Sequence, residues 1–264
     1  PDIRAHLEAE NAWTEQALAP IANLREELVA EMKGRIKEDD SSVPAPDGPW
    51  SYYRRFIEGG QYPLLCRRPS ADTHGGNEQV LLDGDAEAEG ESFFAVGGAI
   101  HSPDQRLFAT ATDRNGSEYC TIRIRDLETG DLLDDTLPDA QGDMVWSEDA
   151  KTLFYTVLDK KHRPCRVMRH DVGSDAKEDA VVYEEADPGF FLGIGKTESG
   201  RFIVIDAHDH ADTSEVYLIP SDMPMGEPRL LLPRETGVTY DVSDHGDRLI
   251  LRTNRDAVDF RIVE

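Results

Sequence analysis

The 264 residues, 29.5 kDa, suit one large or two small domains and are ample for a core. Hydrophobic residues at 39% and charged residues at 31% describe a folded chain with a wet surface; no window approaches the ~18 apolar residues of a membrane span, and no basic-then-apolar leader marks a signal peptide. The net charge of −25, from 28 Lys and Arg against 53 Asp and Glu, repels phosphate backbones and anionic membranes and favours cationic partners.

The first 40 residues read as helical. Ile21, Leu24, Leu28, Met32 and Ile36 form one apolar stripe, and Pro20 divides the run because a proline lacks the donor a helix interior needs. This predicts one helix over Asp2–Leu18, a second over Ile21–Ile36, and a helical arm ending near residue 44. Residues 37–44 are a polar exit, and Ala45-Pro-Asp-Gly-Pro49 is a turn-rich linker. Beyond Trp50 the chain becomes β-rich. Glu58-Gly-Gly60 marks a hairpin between two short strands, and no long helical stripe follows.

The strands repeat. Ile100-His-Ser-Pro-Asp-Gln-Arg-Leu107, Val145-Trp-Ser-Glu-Asp-Ala-Lys-Thr-Leu153, Ile194-Gly-Lys-Thr-Glu-Ser-Gly-Arg-Phe202 and Tyr240-Asp-Val-Ser-Asp-His-Gly-Asp-Arg-Leu249 each read as strand, Ser/Asp/Gly turn, strand. Leu107, Leu153, Phe202 and Leu249, spaced 46, 49 and 47 apart, are taken as equivalent buried positions. A third strand follows each pair, at 119–125, 165–169, 214–219 and 259–263. A fourth follows at Ala180–Tyr183 and Arg229–Leu232. Four strands per 40–50 residues is the signature of β-propeller blades. The expected fold is all-β, a partial propeller of about four to five blades over 45–264, after a helical arm over 1–44.

The chemistry-bearing strings are weak. Thr197-Glu-Ser-Gly200 lacks the first glycine of a nucleophile elbow. Gly195-Lys-Thr197 has Phe190 where a phosphate loop needs glycine, and a strand follows it rather than a helix. His208-Asp-His210 has no partner cluster and reads as a solvated loop. Asn115-Gly-Ser117 reads as a hairpin turn, and the acidic runs Glu38–Asp40 and Asp83–Glu89 as solvated loops. Cys66, Cys120 and Cys165 form no CxxC pair and are expected as buried, reduced thiols, which fits a cytoplasmic location. No catalytic, cofactor-binding or metal-ligating residue is assigned, and no cofactor is expected. On residues alone, the chain is a binding or gating module.

Ala9-Glu-Asn-Ala-Trp13, Gly34-Arg-Ile-Lys-Glu-Asp-Asp-Ser-Ser-Val-Pro44, Trp50-Ser-Tyr-Tyr-Arg54, Gln61–Arg68, Thr213–Leu218 and Tyr240-Asp-Val242 together resemble the N-terminal part of the oligopeptidase B group of the prolyl oligopeptidase family of serine peptidases. The resemblance implies a propeller capping an α/β-hydrolase catalytic domain of the same parent protein, with a helical arm packed on that domain. It implies cleavage of short basic peptides after Arg or Lys, by a triad that lies C-terminal to the propeller. It therefore implies no catalytic residue here, and the 264 residues alone are expected to be inactive. Exposed blade and helix faces are expected to drive self-association. The alternative is a free-standing propeller that binds a protein partner.

Overall fold

The computed structural model describes residues 2–72 and 76–264. The chain divides into two compact units, Pro1–Asp85 and Ala86–Glu264.

In the first unit, α1 (Asp2–Leu18) and α2 (Ala22–Gly34) flank a 3-10 turn, Ala19–Ile21, that holds Pro20. The division falls where the proline requires it. Neither helix buries a residue: Leu24, Leu28 and Met32 are 51%, 46% and 59% exposed. The strands β1 (Ala45–Asp47), β2 (Trp50–Arg55), β3 (Leu64–Pro69) and β4 (Gln79–Asp83) form an antiparallel sheet in chain order. Leu64, Cys66, Leu81 and Leu82 are buried in it. Arg67 is buried too, its guanidinium 4.1 Å from the Trp50 ring centroid and its Nε donating to Gln79 at 2.8 Å. Glu78 accepts from Arg55 Nη2 at 2.7 Å and from the Tyr53 hydroxyl at 2.6 Å. The acidic run expected as a loop over Asp83–Glu89 instead contains a short helix, α3 (Gly84–Glu87). Its Asp85 carboxylate accepts the amides of Gln61 and Tyr62, which gives the run a local partner that solvated side chains would lack.

The second unit begins with β5 (Ala95–His101), β6 (Leu107–Asp113), β7 (Cys120–Asp126), β8 (Leu132–Trp146), β9 (Thr152–Leu158), β10 (Pro164–Asp171) and β11 (Ala180–Glu184). These seven make one antiparallel sheet in chain order. The fifteen-residue β8 explains that number. Its first half pairs with β7 (Ile122↔Leu137) and its last residues with β9 (Trp146↔Leu153), so it closes one copy of the repeat and opens the next. Two further sheets follow: β12 (Phe191–Lys196), β13 (Phe202–His208), β14 (Ser214–Pro220) and β15 (Arg229–Leu230), then β16 (Tyr240–His245), β17 (Arg248–Thr253) and β18 (Arg261–Val263). The last copy has three strands among the described residues, and β15 is two residues long.

The repeat has a physical basis in its first turn. Ser102, Ser147 and Thr197 each donate their amide to the carbonyl five residues on, at 2.9, 2.9 and 3.0 Å. Their side-chain oxygens accept the amide of that same residue, at 2.9, 3.1 and 3.2 Å. The turn is held from both directions, and its fourth residue, Gln105, Ala150 or Gly200, is left-handed with φ of 64°, 58° and 77°. Register follows from this turn and corrects the expected equivalence. Leu107 and Phe202 close the turn, and their counterpart in the second copy is Thr152. Leu153 pairs one residue further in, as Phe108 and Ile203 do, whereas Leu249 lies five residues after its partner Asp244, the spacing that Leu107 and Phe202 keep from Ser102 and Thr197. Phe108, Leu153 and Ile203 are accordingly buried, while Leu107, Phe202 and Leu249 are half-buried.

Each core lies between consecutive copies. Ala109, Ile122, Ile124 and Leu137 of the first meet Trp146, Leu153 and Tyr155 of the second. Phe154 and Val167 of the second meet Leu192, Ile203, Ile205 and Ile219 of the third. Val216 and Leu218 of the third meet Tyr240 and Leu251. This face-to-face stacking of small sheets is how propeller blades bury apolar surface. The first strands approach closely: a Cβ on Gly98 would overlap the Gly142 carbonyl oxygen, and one on Gly142 would lie 2.7 Å from the Gly97 carbonyl. All three cysteines are buried and free, as their strand positions suggest.

Candidate functional site

With four strands to a copy, the chain leaves each copy at the end where it came in. That end of the second unit carries the crossovers 138–143, 185–190 and 231–239 and the loops 114–119, 159–163 and 209–213. Two arginines fix the crossovers. Arg163 lies four residues after Asp159, whose carboxylate accepts the amides of Lys161 and Arg163 and so shapes the loop. Arg163 pairs with Asp159 at 3.2 Å and donates to the carbonyls of Glu185, Asp187 and Phe190 at 3.2, 2.8 and 3.0 Å.

Arg234, on the next crossover, sits 3.7 Å from the Phe190 ring centroid and bridges two buried carboxylates, Glu185 and Glu215, the latter at 2.8 Å. Burial opposes its charge, but the two carboxylates outweigh burial and hold the guanidinium firmly protonated. The Tyr183 and Tyr217 rings stack tilted, 4.6 Å apart. Tyr183 donates to Glu185 at 3.1 Å, and Tyr217 donates to Glu215 at 3.1 Å. Burial first, then the neighbouring Tyr217 hydroxyl and carboxylate charge, drive the Tyr183 phenol far above its ordinary range. The cluster joins β11, the 185–190 crossover, β14 and the 231–239 crossover with charge-assisted bonds, the strong class of hydrogen bond.

Beside it, a recess of about 280 Å³ is lined by Asp206, His208, Asp209, Asp212 and Asp241 with Thr239 and Tyr240. His208 Nδ1 lies 2.8 Å from Asp206. Burial raises the Asp206 carboxyl above its usual range, against the lowering effect of His208. His210 packs on Phe191 instead, ring centroids 4.2 Å apart, so the two histidines serve different partners. Among the described residues, no three His, Cys, Asp or Glu side chains are grouped to hold a metal ion.

The other strings fall into ordinary structure. Gly195-Lys-Thr197 ends β12 and enters the hydroxyl-held turn; Lys196 is half-buried and its amine is pushed down by burial. Asn115 and Gly116 lie in the β6–β7 loop, where Asp113 accepts the amides of Asn115, Gly116 and Glu118 at 2.9, 3.0 and 2.7 Å. Sequence reasoning missed the arginine staples. The Asp159…Arg163 spacing is a local signal that could have found one. Arg234 lies 49 and 19 residues from Glu185 and Glu215, and a single sequence carries no sign of that meeting.

Stacked antiparallel sheets in a repeating four-strand pattern, joined by crossovers at one end, define a β-propeller domain. The chain belongs to the prolyl oligopeptidase family: residues 1–264 match the family's N-terminal β-propeller domain. It is 40% identical over 282 residues to dipeptidyl aminopeptidase BI of Pseudoxanthomonas mexicana, covering 99% of this chain and 38% of that protein. Protease 2 of Moraxella lacunata is 32% identical over 267 residues, covering 99% and 39%. Among solved structures, oligopeptidase B from Leishmania major aligns with TM-score 0.91 and 31% identity, over 100% of this chain and 37% of that one. Oligopeptidase B from Trypanosoma brucei, solved in a closed form with covalently bound antipain, aligns with TM-score 0.89 and 32% identity over the same shares. The chain thus spans under two-fifths of the length of these relatives. No helix is long and apolar enough to cross a membrane among the described residues.

Proposed function

We propose that this chain is the non-catalytic, substrate-gating part of a cytoplasmic serine peptidase resembling oligopeptidase B, which cleaves short peptides after Arg or Lys. The observation that carries this reading is the crossover end of the second unit. Each complete four-strand copy returns the chain to this end, and the α/β-hydrolase domain of the parent is placed there on that ground. That end holds the rigid Arg163 and Arg234 staples and the recess with four aspartates. Acidic surface of this kind raises the local concentration of basic peptides, and the net charge of −25 has the sign required. The exposed apolar residues of α1 and α2, with Trp13 67% and Leu7 57% exposed, supply a surface for that domain or, without it, for self-association. The test is a ladder of Arg-containing peptides of increasing length, offered to the full-length parent. Gating gives a sharp fall in kcat/KM with peptide length. Equal cleavage of short peptides and unfolded proteins removes the gating role.

A further inference from the structure

At the opposite end of the same sheets, a groove of about 750 Å³ runs between the first and second copies of the repeat. That volume lies within the roughly 300–1,000 Å³ of clefts that hold ligands. Its walls are apolar: Leu107 and Leu133 from the first copy, Val172 from the second, and Pro224 and Met225 from the β14–β15 loop. Met225 is 55% exposed and its neighbour Met223 59% exposed, and flexible thioethers adapt to varied partner side chains.

The rim is acidic. Asp104, Asp126, Asp149 and Asp171 face Arg106 and Lys151. Arg106 is taken by Asp126 at 2.9 Å. Asp104 and Asp149 accept only the hydroxyl and amides of their own turns, and Asp171 accepts the Thr152 hydroxyl at 3.3 Å. Among the described residues no Lys, Arg or His nitrogen is in ion-pair contact with these three carboxylates; the charges of Lys151 and Arg106 act on Asp149 and Asp104 from further off, and four carboxylates against two cations leave the rim negative.

The walls are fixed before any ligand arrives. Leu127 donates its amide to the Arg106 carbonyl at 2.7 Å, and Val172 donates to the Lys151 carbonyl at 2.9 Å. Arg169 holds the methionine loop through the Pro224 carbonyl at 3.1 Å. A preformed cleft spends less of its binding energy on ordering itself.

We propose that this groove docks a cationic peptide segment carrying apolar side chains next to Arg or Lys. The apolar side chains lie on Leu133, Val172 and Met225, and the cations lie beside Asp104, Asp149 and Asp171. A second copy of this chain is the wrong occupant, since it brings another −25 of charge. A purely cationic ligand leaves the apolar walls unused.

The experiment is fluorescence anisotropy on the intact 264-residue chain with a fluorescein-labelled peptide alternating Leu and Arg. Comparison probes are a Ser/Arg peptide, a Leu/Glu peptide and spermine as competitor. The Leu/Arg peptide binds at least 10-fold tighter than the Ser/Arg peptide, and the Leu/Glu peptide does not bind. The D149N/D171N double variant weakens binding about 3- to 10-fold, the loss expected for two exposed charges. Met225→Ser weakens it about 5-fold through lost apolar contact. An E15Q/E27Q double variant removes the same charge from α1 and α2 and leaves affinity unchanged. Circular dichroism of each variant reports folding, and the side chains changed are exposed. Equal binding of the Ser/Arg peptide, displacement by spermine at matched charge, or equal losses in the groove and helix variants would overturn the proposal. This readout needs no peptidase activity, so it stands or falls apart from the reading of the parent enzyme.

Discussion

Replacing His170 with alanine should be among the most destabilising single changes in the second unit. The His170 ring is fully buried on β10. Its Nε2 lies 2.7 Å from an Asp135 oxygen and its Nδ1 lies 2.7 Å from an Asp179 oxygen. Each ring nitrogen thus meets one carboxylate at hydrogen-bond distance in a dry environment. The carboxylates have one further partner each: Asp135 accepts the Gly173 amide at 2.6 Å and Asp179 accepts the Tyr155 hydroxyl at 2.7 Å. Removing the ring leaves two carboxylates, 2% and 0% exposed, facing a void. Breaking a buried charged pair costs about 3–5 kcal/mol. For a unit of this size that is a melting-temperature loss of about 6–20 °C, at roughly 2–4 °C per kcal/mol. The assay is thermal unfolding followed by near-ultraviolet circular dichroism, which reports the buried Trp146 against the same core. A second variant, D135N, keeps shape and one neutral hydrogen bond and should lose less than half as much. A His170→Ala loss below about 1 kcal/mol, the scale of a surface pair, would refute the reasoning.

Four further outcomes follow. Ala150→Gly should stabilise the chain by up to about 1 kcal/mol and Gly200→Ala should cost about as much, because both occupy the left-handed turn position; paired melting curves check the opposite signs. Gly98→Ala should cost about 1–3 kcal/mol, since the new methyl meets the Gly142 carbonyl; no shift in the urea midpoint would contradict the close approach. The Arg55 hydrogen bonds hold the Glu78 carboxyl below its ordinary range, so its stabilisation is present above that range and fades as pH falls through the lowered value. Glu78→Gln should therefore cost about 1 kcal/mol of stability at pH 7, for a partly exposed pair, and the gap to wild type should close as pH falls below the ordinary carboxylate range. In the full-length parent, kcat/KM for a dibasic peptide should fall more steeply with salt than for a neutral-flanked peptide of equal length; equal slopes would assign the charge to solubility alone.

The repeat was legible because its turns carry a local signal. Ser102, Ser147 and Thr197 each need a hydroxyl to hold the turn, and the strands either side alternate visibly. Register was not. Leu153 looks equivalent to Leu107, but the turn is measured from its hydroxyl residue, and one extra residue before Leu153 moves it inward. The merging of two copies through β8 was also hidden: Pro138-Asp139 and Gly142 read as turn residues, and Asp139 and Gly142 do have positive φ of 60° and 133°, yet the strand runs through them from one sheet edge to the next. The helical stripe of α2 is legible as apolar, yet pattern alone cannot say what covers it, and among the described residues nothing buries Leu24, Leu28 or Met32. The charged cores were least legible. Asp135, His170 and Asp179 meet across 35 and 9 residues. Their chemistry depends on blade stacking, which a single sequence does not contain.

The most direct test of the proposed division of labour, with Arg- and Lys-directed catalysis in the parent and none in this part, is hydrolysis of blocked Arg, Lys and Pro amides, measured side by side with the full-length parent and with these 264 residues. The account predicts inhibitor-sensitive turnover of the Arg and Lys amides by the parent, little of the Pro amide, and none of any by the 264 residues. Turnover by the 264 residues alone, or a parent that prefers the Pro amide, would contradict it.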